Sequence, residues 1–384
     1  MRANISHLAG FLVAVCIGTP LLAHHEFAAE YDDKKPVTLR GTVTKYEWTD
    51  PHVFVFVDAK DVSGANKDAS GIASWAVEFA SRAELRKAGW TRYALKVGDQ
   101  VSIEASMARD GSKTAGGKSV TLAGGKKLVE PPVDVSSAAP KTGQAKPTPR
   151  WPDGHPRLGP VPGEKGYWAN TSAGGLYEAS AGNIRMDGNG LLANIADAAK
   201  VAPFQPWARG LYEFRQRSLL KDDPMVSCLP PGGPRQFQAP RGVQLLEQPD
   251  RQRIFVLSGG GNRNWRLIYL DGRPLPTSDD VSPTYFGYSS GRWEGDTLVV
   301  NVNAFNERFW FSNGGLPHTE NLKLTERISR PDFNTLRYDV TVDDAGAYTR
   351  PWSGGWTLQW IANEDMEQYF CQDNPRDAEH MVGK

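Results

Sequence analysis

"GRWEGDTLVV", residues 291–300, sets two apolar alternations on either side of Glu-Gly-Asp, the chemistry of a tight β-hairpin turn. The same grammar extends outward in both directions. "GVQLLEQ", "RIFVLSG" and "NWRLIYLDG" precede it, and "NLKLTERISR", "TLRYDVTVDD" and "GWTLQWIA" follow, with Asp-Gly, Gly-Asp and Asp-Asp turns between them. Over residues 240–370 this predicts an antiparallel meander curled into a lipocalin-like β-barrel. Residues 187–220 carry apolar positions at helical spacing on both sides of a break at Pro203 and Pro206, which predicts two helices leading into that barrel. The second domain is thus expected over 166–384.

Residues 24–130 hold about five more strand-like runs, among them "VTLRGTVTKYEW" and "HVFVFVDAKD", with one helical piece at "SRAELRKAGW". That inventory fits a small OB-like β-barrel. Between the domains, residues 131–165 are rich in Pro, Ser, Ala and Lys without periodicity and read as an extended linker, in which His155 is a solvated loop residue. The whole chain is therefore expected to be mainly β.

At the N-terminus, Arg2 precedes an apolar run from Leu8 to Gly18 that is too short to span a bilayer, so residues 1–23 read as a signal peptide cut after Ala23. A periplasmic or secreted protein with no stable membrane anchor is expected. Of the three cysteines, Cys16 lies in the leader, leaving Cys228 and Cys371. An even pair in an oxidising compartment favours one disulfide over two free thiols, worth about 4 kcal/mol on the chain-entropy account.

The 384 residues leave room for two cores, and Lys plus Arg equals Asp plus Glu at 44 each, so no global field collects nucleic acid or anionic membrane. Basic residues are dispersed, which removes nucleic acid as an expected partner. The motifs of serine hydrolases, dithiol redox proteins and zinc proteases are absent from the sequence. "SGGGNRN", 258–264, lacks the helix and lysine of a phosphate loop and reads as a wide hairpin. The oligomeric state stays open.

Longer motifs carry a family resemblance. "AHHEFAAEYDDKKPVTLRGTVTKYEWTDPHVFVFVD" resembles an exported bacterial domain of unknown function. "KDDPMVSCLPPGGPRQF", "RIFVLSGGGNRNWRLIYLDGR" and "FNERFWFSNGGLPHTENLKLTER" are similar to a second uncharacterised exported bacterial family. The resemblance implies export and kinship, and no activity.

Two constellations carry candidate chemistry. The first is at the N-terminus, where His24, exposed by cleavage, offers its amine and ring to Cu(II). His52, with Asp50 two residues before it, supplies a further nitrogen, and His25 substitutes if cleavage differs. Against this, and ahead of it, stands the reading of His24 and His25 as leader residues and of His52 as a turn cap. The second lies in the barrel. Alternation in "NLKLTERISR" puts Leu322, Leu324, Glu326 and Ile328 on one face, aiming a carboxylate inward, and burial of that charge demands a partner. Arg263 is the expected partner, because Arg266 alternates opposite to Trp265, Leu267 and Tyr269. His318 and Glu320, two residues apart, form a possible general-base pair or an ordinary surface turn.

The expected function is binding of a small, largely apolar molecule in the second barrel, with Trp265, Tyr269, Trp293 and Trp356 lining it and no cofactor required. The same tryptophans serve equally well as core. The alternatives are copper handling through the N-terminal histidines and a cofactor-independent isomerase or lyase using Glu326 or His318.

Overall fold

A computed structural model describes residues 29–49, 52–64, 71–129, 146–170, 175–238, 242–260, 265–277, 280–366, 370–373 and 379–383. The expected leader, and the linker as far as residue 145, lie outside them.

The protein is mainly β and holds two closed strand systems. The first contains β1 (Tyr31–Glu47), β2 (Val53–Asp61), β3 (Ala73–Phe79), helix α1 (Arg82–Lys87), β4 (Gln100–Ala108), β5 (Thr114–Leu122) and β6 (Lys127–Val129). Its order is β3-β2-β1-β4-β5-β6, and β3 also pairs with β5, so the first five strands form a ring of the expected OB-like kind. β1 serves two neighbours by bending at bulges between Val43 and Lys45 and between Asp32 and Pro36. Gly41 lets it cross β2 closely, since a Cβ there would stand 2.0 Å from the Asp58 carbonyl oxygen. α1 starts in a capping box made by Ser81 and Glu84, and Trp75, Phe79 and Trp90 fill the core beneath it.

The second barrel contains β7 (Gly166–Asn170), β8 (Val243–Gln248), β9 (Arg253–Ser258), β10 (Trp265–Tyr269), β11 (Tyr288–Glu294), β12 (Thr297–Asn303), β13 (Lys323–Asp332), β14 (Thr335–Asp343) and β15 (Trp352–Ala362). They close in the order β10-β11-β12-β13-β14-β15-β7-β8-β9. Every pair is antiparallel except β10 with β11. The exception is obligatory: strand direction reverses across each antiparallel pair, so a ring of nine cannot close on such pairs alone. The same parity explains the parallel pair β3–β5 in the ring of five. Both parallel pairs are joined by long crossovers, as parallel neighbours require.

The helices α2 (Ala198–Val201) and α3 (Pro206–Arg217) are inserted between β7 and β8 rather than placed ahead of the barrel. α3 buries Ala208, Tyr212 and Gln216, one face at spacing four, and the Gln216 amide nitrogen donates to the carbonyls of Gly190 and Gly314. The following segment plugs the barrel: Gly233, Pro234, Arg235, Gln236 and Phe237 form a short 3-10 turn and all are buried. Arg235 is held there by Asp223 on two nitrogens and by the Asn313 side-chain oxygen at 3.0 Å.

Residues 146–165, expected to be linker, dock on the second barrel. The Glu247 carboxylate accepts from the backbone of Leu158 and Gly159 at 2.8 and 3.0 Å and from the Trp151 indole at 3.0 Å. His155 stacks on Trp293 with ring centroids 4.9 Å apart. Proline-rich composition marks absence of periodicity, and here the backbone finds its partners in the barrel wall instead of in a sheet of its own.

Cys228 and Cys371 are disulfide-bonded, with Cα atoms 5.5 Å apart across a sequence separation of 143. The bond ties the chain end to the segment entering the plug. Reduction, or paired Cys228→Ala and Cys371→Ala substitution, is expected to lower unfolding stability by about 4 kcal/mol. Chemical denaturation of the oxidised protein and the double variant checks this.

Candidate functional site

The inner face of the second barrel is built by strand alternation. On β13 Leu324, Glu326 and Ile328 are buried, and on β14 Leu336, Tyr338, Val340 and Val342 are. Glu326 is fully buried, opposite Val300 of β12 and Val340 of β14. One of its oxygens accepts from Arg266 Nη2 at 2.6 Å and the other from the Tyr338 hydroxyl at 2.6 Å. Burial, and then the Glu326 charge, raise the Tyr338 phenol well above its ordinary range, so it stays protonated and donates.

The partner of Glu326 is therefore Arg266, and Arg263 lies outside the described residues. The expected orientation of β10 is reversed. Arg266 and Ile268 face inward, while Trp265 is 53% exposed and Tyr269 is half-buried under the Arg273 guanidinium at 3.6 Å. Aromatic bulk on alternate positions predicts the inner face, but the buried carboxylate outranks it: leaving Glu326 unpaired costs more than exposing an indole. Trp293, expected in the lining, is half-buried against His155. Of the four expected lining aromatics only Trp356 stands on the inner wall, stacked on Tyr338 with centroids 5.1 Å apart.

Rings continue the cluster across the plug. Phe237 packs on Tyr338 at 4.4 Å, and the Arg266 guanidinium lies 5.8 Å from the Phe237 ring. Beside it Gln236 donates to the Val256 carbonyl at 3.0 Å, and Val256 is the β9 residue opposite Arg266. Several polar atoms in this interior have no hydrogen-bond partner among the described residues: Arg266 Nε and Nη1, Gln236 Oε1, Ser289 Oγ and Trp356 Nε1. Each such group costs roughly 1–3 kcal/mol unless water or a ligand meets it.

His318 and Glu320 do not converge. His318 is buried between Phe309 and Phe311, with ring nitrogens 3.0 Å from the Phe309 carbonyl oxygen and 3.3 Å from that of Thr319, whereas Glu320 is exposed. The chain turns between them because Asp344 accepts from the Thr319 amide and hydroxyl at 2.7 and 2.6 Å. Spacing two puts side chains on one side only where the backbone is extended.

Of the proposed copper ligands, His24, His25 and Asp50 lie outside the described residues. His52 is not at the surface: it is buried in the first barrel, its Nδ1 against Glu78. Glu78 also takes the Tyr31 hydroxyl at 2.6 Å, and Glu30 lies 2.8 Å from that hydroxyl. Among the described residues no group of three His, Cys, Asp or Glu side chains is placed to hold a metal.

Gln236 and Phe237 escape sequence reasoning because "PGGPRQF" has no period. Tyr338 was legible, since it shares the inward alternation of "TLRYDVTVDD".

Residues 12–118 match a family described as "Family of unknown function (DUF6152)", which takes in the first barrel as far as β5. No curated protein matches the chain, and no solved structure does.

Two outcomes are expected here. Glu326→Leu alone strips the partner from Arg266 and should cost about 3–5 kcal/mol in chemical denaturation. Burial lowers the His318 pKa below its ordinary 6.5 in the folded protein. Its contribution to stability is therefore complete above 6.5 and lost as pH falls from there toward the folded value. His318→Gln should flatten that part of the stability–pH profile.

Proposed function

We propose that this is an exported binding protein whose second barrel takes a small, largely apolar, uncharged molecule. The observation that carries the reading is Arg266, 3% exposed, with two nitrogens that meet no acceptor among the described residues. Because Glu326 already balances its charge, the pair offers donors without net charge. A second anion would bring uncompensated charge into the interior, whereas a neutral carbonyl, ether or hydroxyl oxygen would be accepted. Phe237, Tyr338 and Trp356 supply the aromatic surface for the rest of such a molecule. The Cys228–Cys371 disulfide, and a leader-like N-terminus, support an oxidising compartment outside the cytoplasm. Among the described residues no helix is long and apolar enough to cross a membrane.

The proton-transfer alternative is weaker, because both oxygens of Glu326 already accept hydrogen bonds and His318 stands apart with its own partners. The copper alternative finds His52 Nδ1 already committed to Glu78.

Native mass spectrometry of protein purified from its own exporting cells, followed by solvent extraction, tests the proposal. The wild type should retain a neutral small molecule. Arg266→Lys keeps a cation for Glu326 but lacks the planar fork, and should weaken retention about tenfold. Trp265→Ala, on the outer face, should leave retention unchanged. A wild type that retains nothing, or retention indifferent to Arg266→Lys, overturns the reading.

A further inference from the structure

A second place in the molecule has the makings of a site, independent of the barrel interior. On the wall of β11–β14 a groove of about 640 Å3 is lined by side chains that alternate away from the core, together with the core residues Val302 and Leu324. That volume falls in the range of small-molecule sites. Ser290, Asn301, Thr325 and Thr341 are half-buried along its floor, and the segment Arg273–Leu275 and Pro351 form its sides.

We propose that this groove binds a neutral oligosaccharide. Its polar groups are held in advance: Thr325 donates to the Asn301 side-chain oxygen at 3.1 Å, Thr341 and Ser353 share a hydrogen bond at 2.9 Å, and Ser290 donates to the Arg273 carbonyl at 2.7 Å. The Asn301 oxygen is thereby occupied, and its amide nitrogen donates to no other described side chain or carbonyl. Lys323 and Asp343 face each other in register across β13 and β14, both exposed, and form no ion pair among the described residues. Arg273 is already neutralised by Asp271. The groove therefore carries no net charge but presents a strong donor, a strong acceptor and an amide within one wall.

A sugar hydroxyl both donates and accepts, so it satisfies such a mixture, while Pro274, Leu275 and Pro351 give apolar surface for the C–H faces of the rings. Nucleic acid would need a positive field, which is absent from this balance of charges. An extended peptide adding to the sheet would need a strand edge, and β11, β12, β13 and β14 are each paired on both sides.

The test is titration of the full disulfide-bonded protein with neutral tetrasaccharides of gluco, manno and N-acetylgluco configuration, by calorimetry and by chemical-shift perturbation. At least one should bind at millimolar concentration or better. Asp343→Ala and Asn301→Ala should each weaken it by about tenfold or more, since each removes a hydrogen-bonding anchor, and Asn301→Ala also frees the Thr325 hydroxyl. Arg266→Lys should leave it unaltered, which separates this site from the barrel interior. Failure of the whole panel to bind, or binding indifferent to Asp343→Ala and Asn301→Ala, overturns the proposal.

Discussion

Moving a charge out of water costs several kcal/mol even after relaxation, and among the charges the second barrel buries are Arg266 and Glu326, brought together inside it. The orientation of β10 follows from that pair. Once Arg266 must reach Glu326, Ile268 shares its face, and Trp265 and Tyr269 are turned to the outside. The pair also selects its neighbours. Tyr338 completes the carboxylate's hydrogen bonds, and the rings of Phe237 and Trp356 lie against Tyr338. What remains uncompensated is on the arginine, and it is this asymmetry that gives the interior a chemical direction.

The frame that holds the pair is itself constrained by parity. A ring of nine strands needs one parallel contact, and placing it at β10–β11 joins those two strands through two residue pairs, Ile268 with Ser289 and Tyr269 with Ser290, while β10 pairs along its full length with β9. The wall is compensated from within and without. The buried turn at 233–237 enters the lumen, and residues 146–165 are clamped to the outer wall by Glu247. The disulfide secures the segment that enters the plug. Local strand pairing and distant covalent and side-chain ties thus share the work of closing a barrel that β10 and β11 join weakly.

Much of this was legible where a period exists. "GRWEGDTLVV" forms β11, its turn and β12, and "NLKLTERISR" aims Glu326 inward as alternation requires. The OB-like ring follows from its five runs, and the pairing of Cys228 with Cys371 from counting thiols. Legibility ended where a residue's setting is decided far along the chain. Arg266 is drawn inward by a carboxylate on β13, three strands around the wall. His318 and Glu320 part because Asp344, 25 residues from Thr319, bends the chain between them. The plug and the docked segment 146–165 have turn-rich composition, and only the carbonyls and carboxylates that receive them distinguish them from free loops.

On the binding proposal, the Arg266–Glu326–Tyr338 cluster is kept for what it offers a ligand and not for the stability of the barrel. The direct measurement is the unfolding free energy of the triple variant Arg266→Met, Glu326→Leu, Tyr338→Phe, which replaces the whole cluster with apolar side chains of similar volume. This variant is expected to fold and to lie within about 1 kcal/mol of the wild type or above it, because no buried polar group of the cluster is left unpaired. A loss as large as that of the Glu326→Leu single variant would contradict it, and would make the cluster a structural element of the fold.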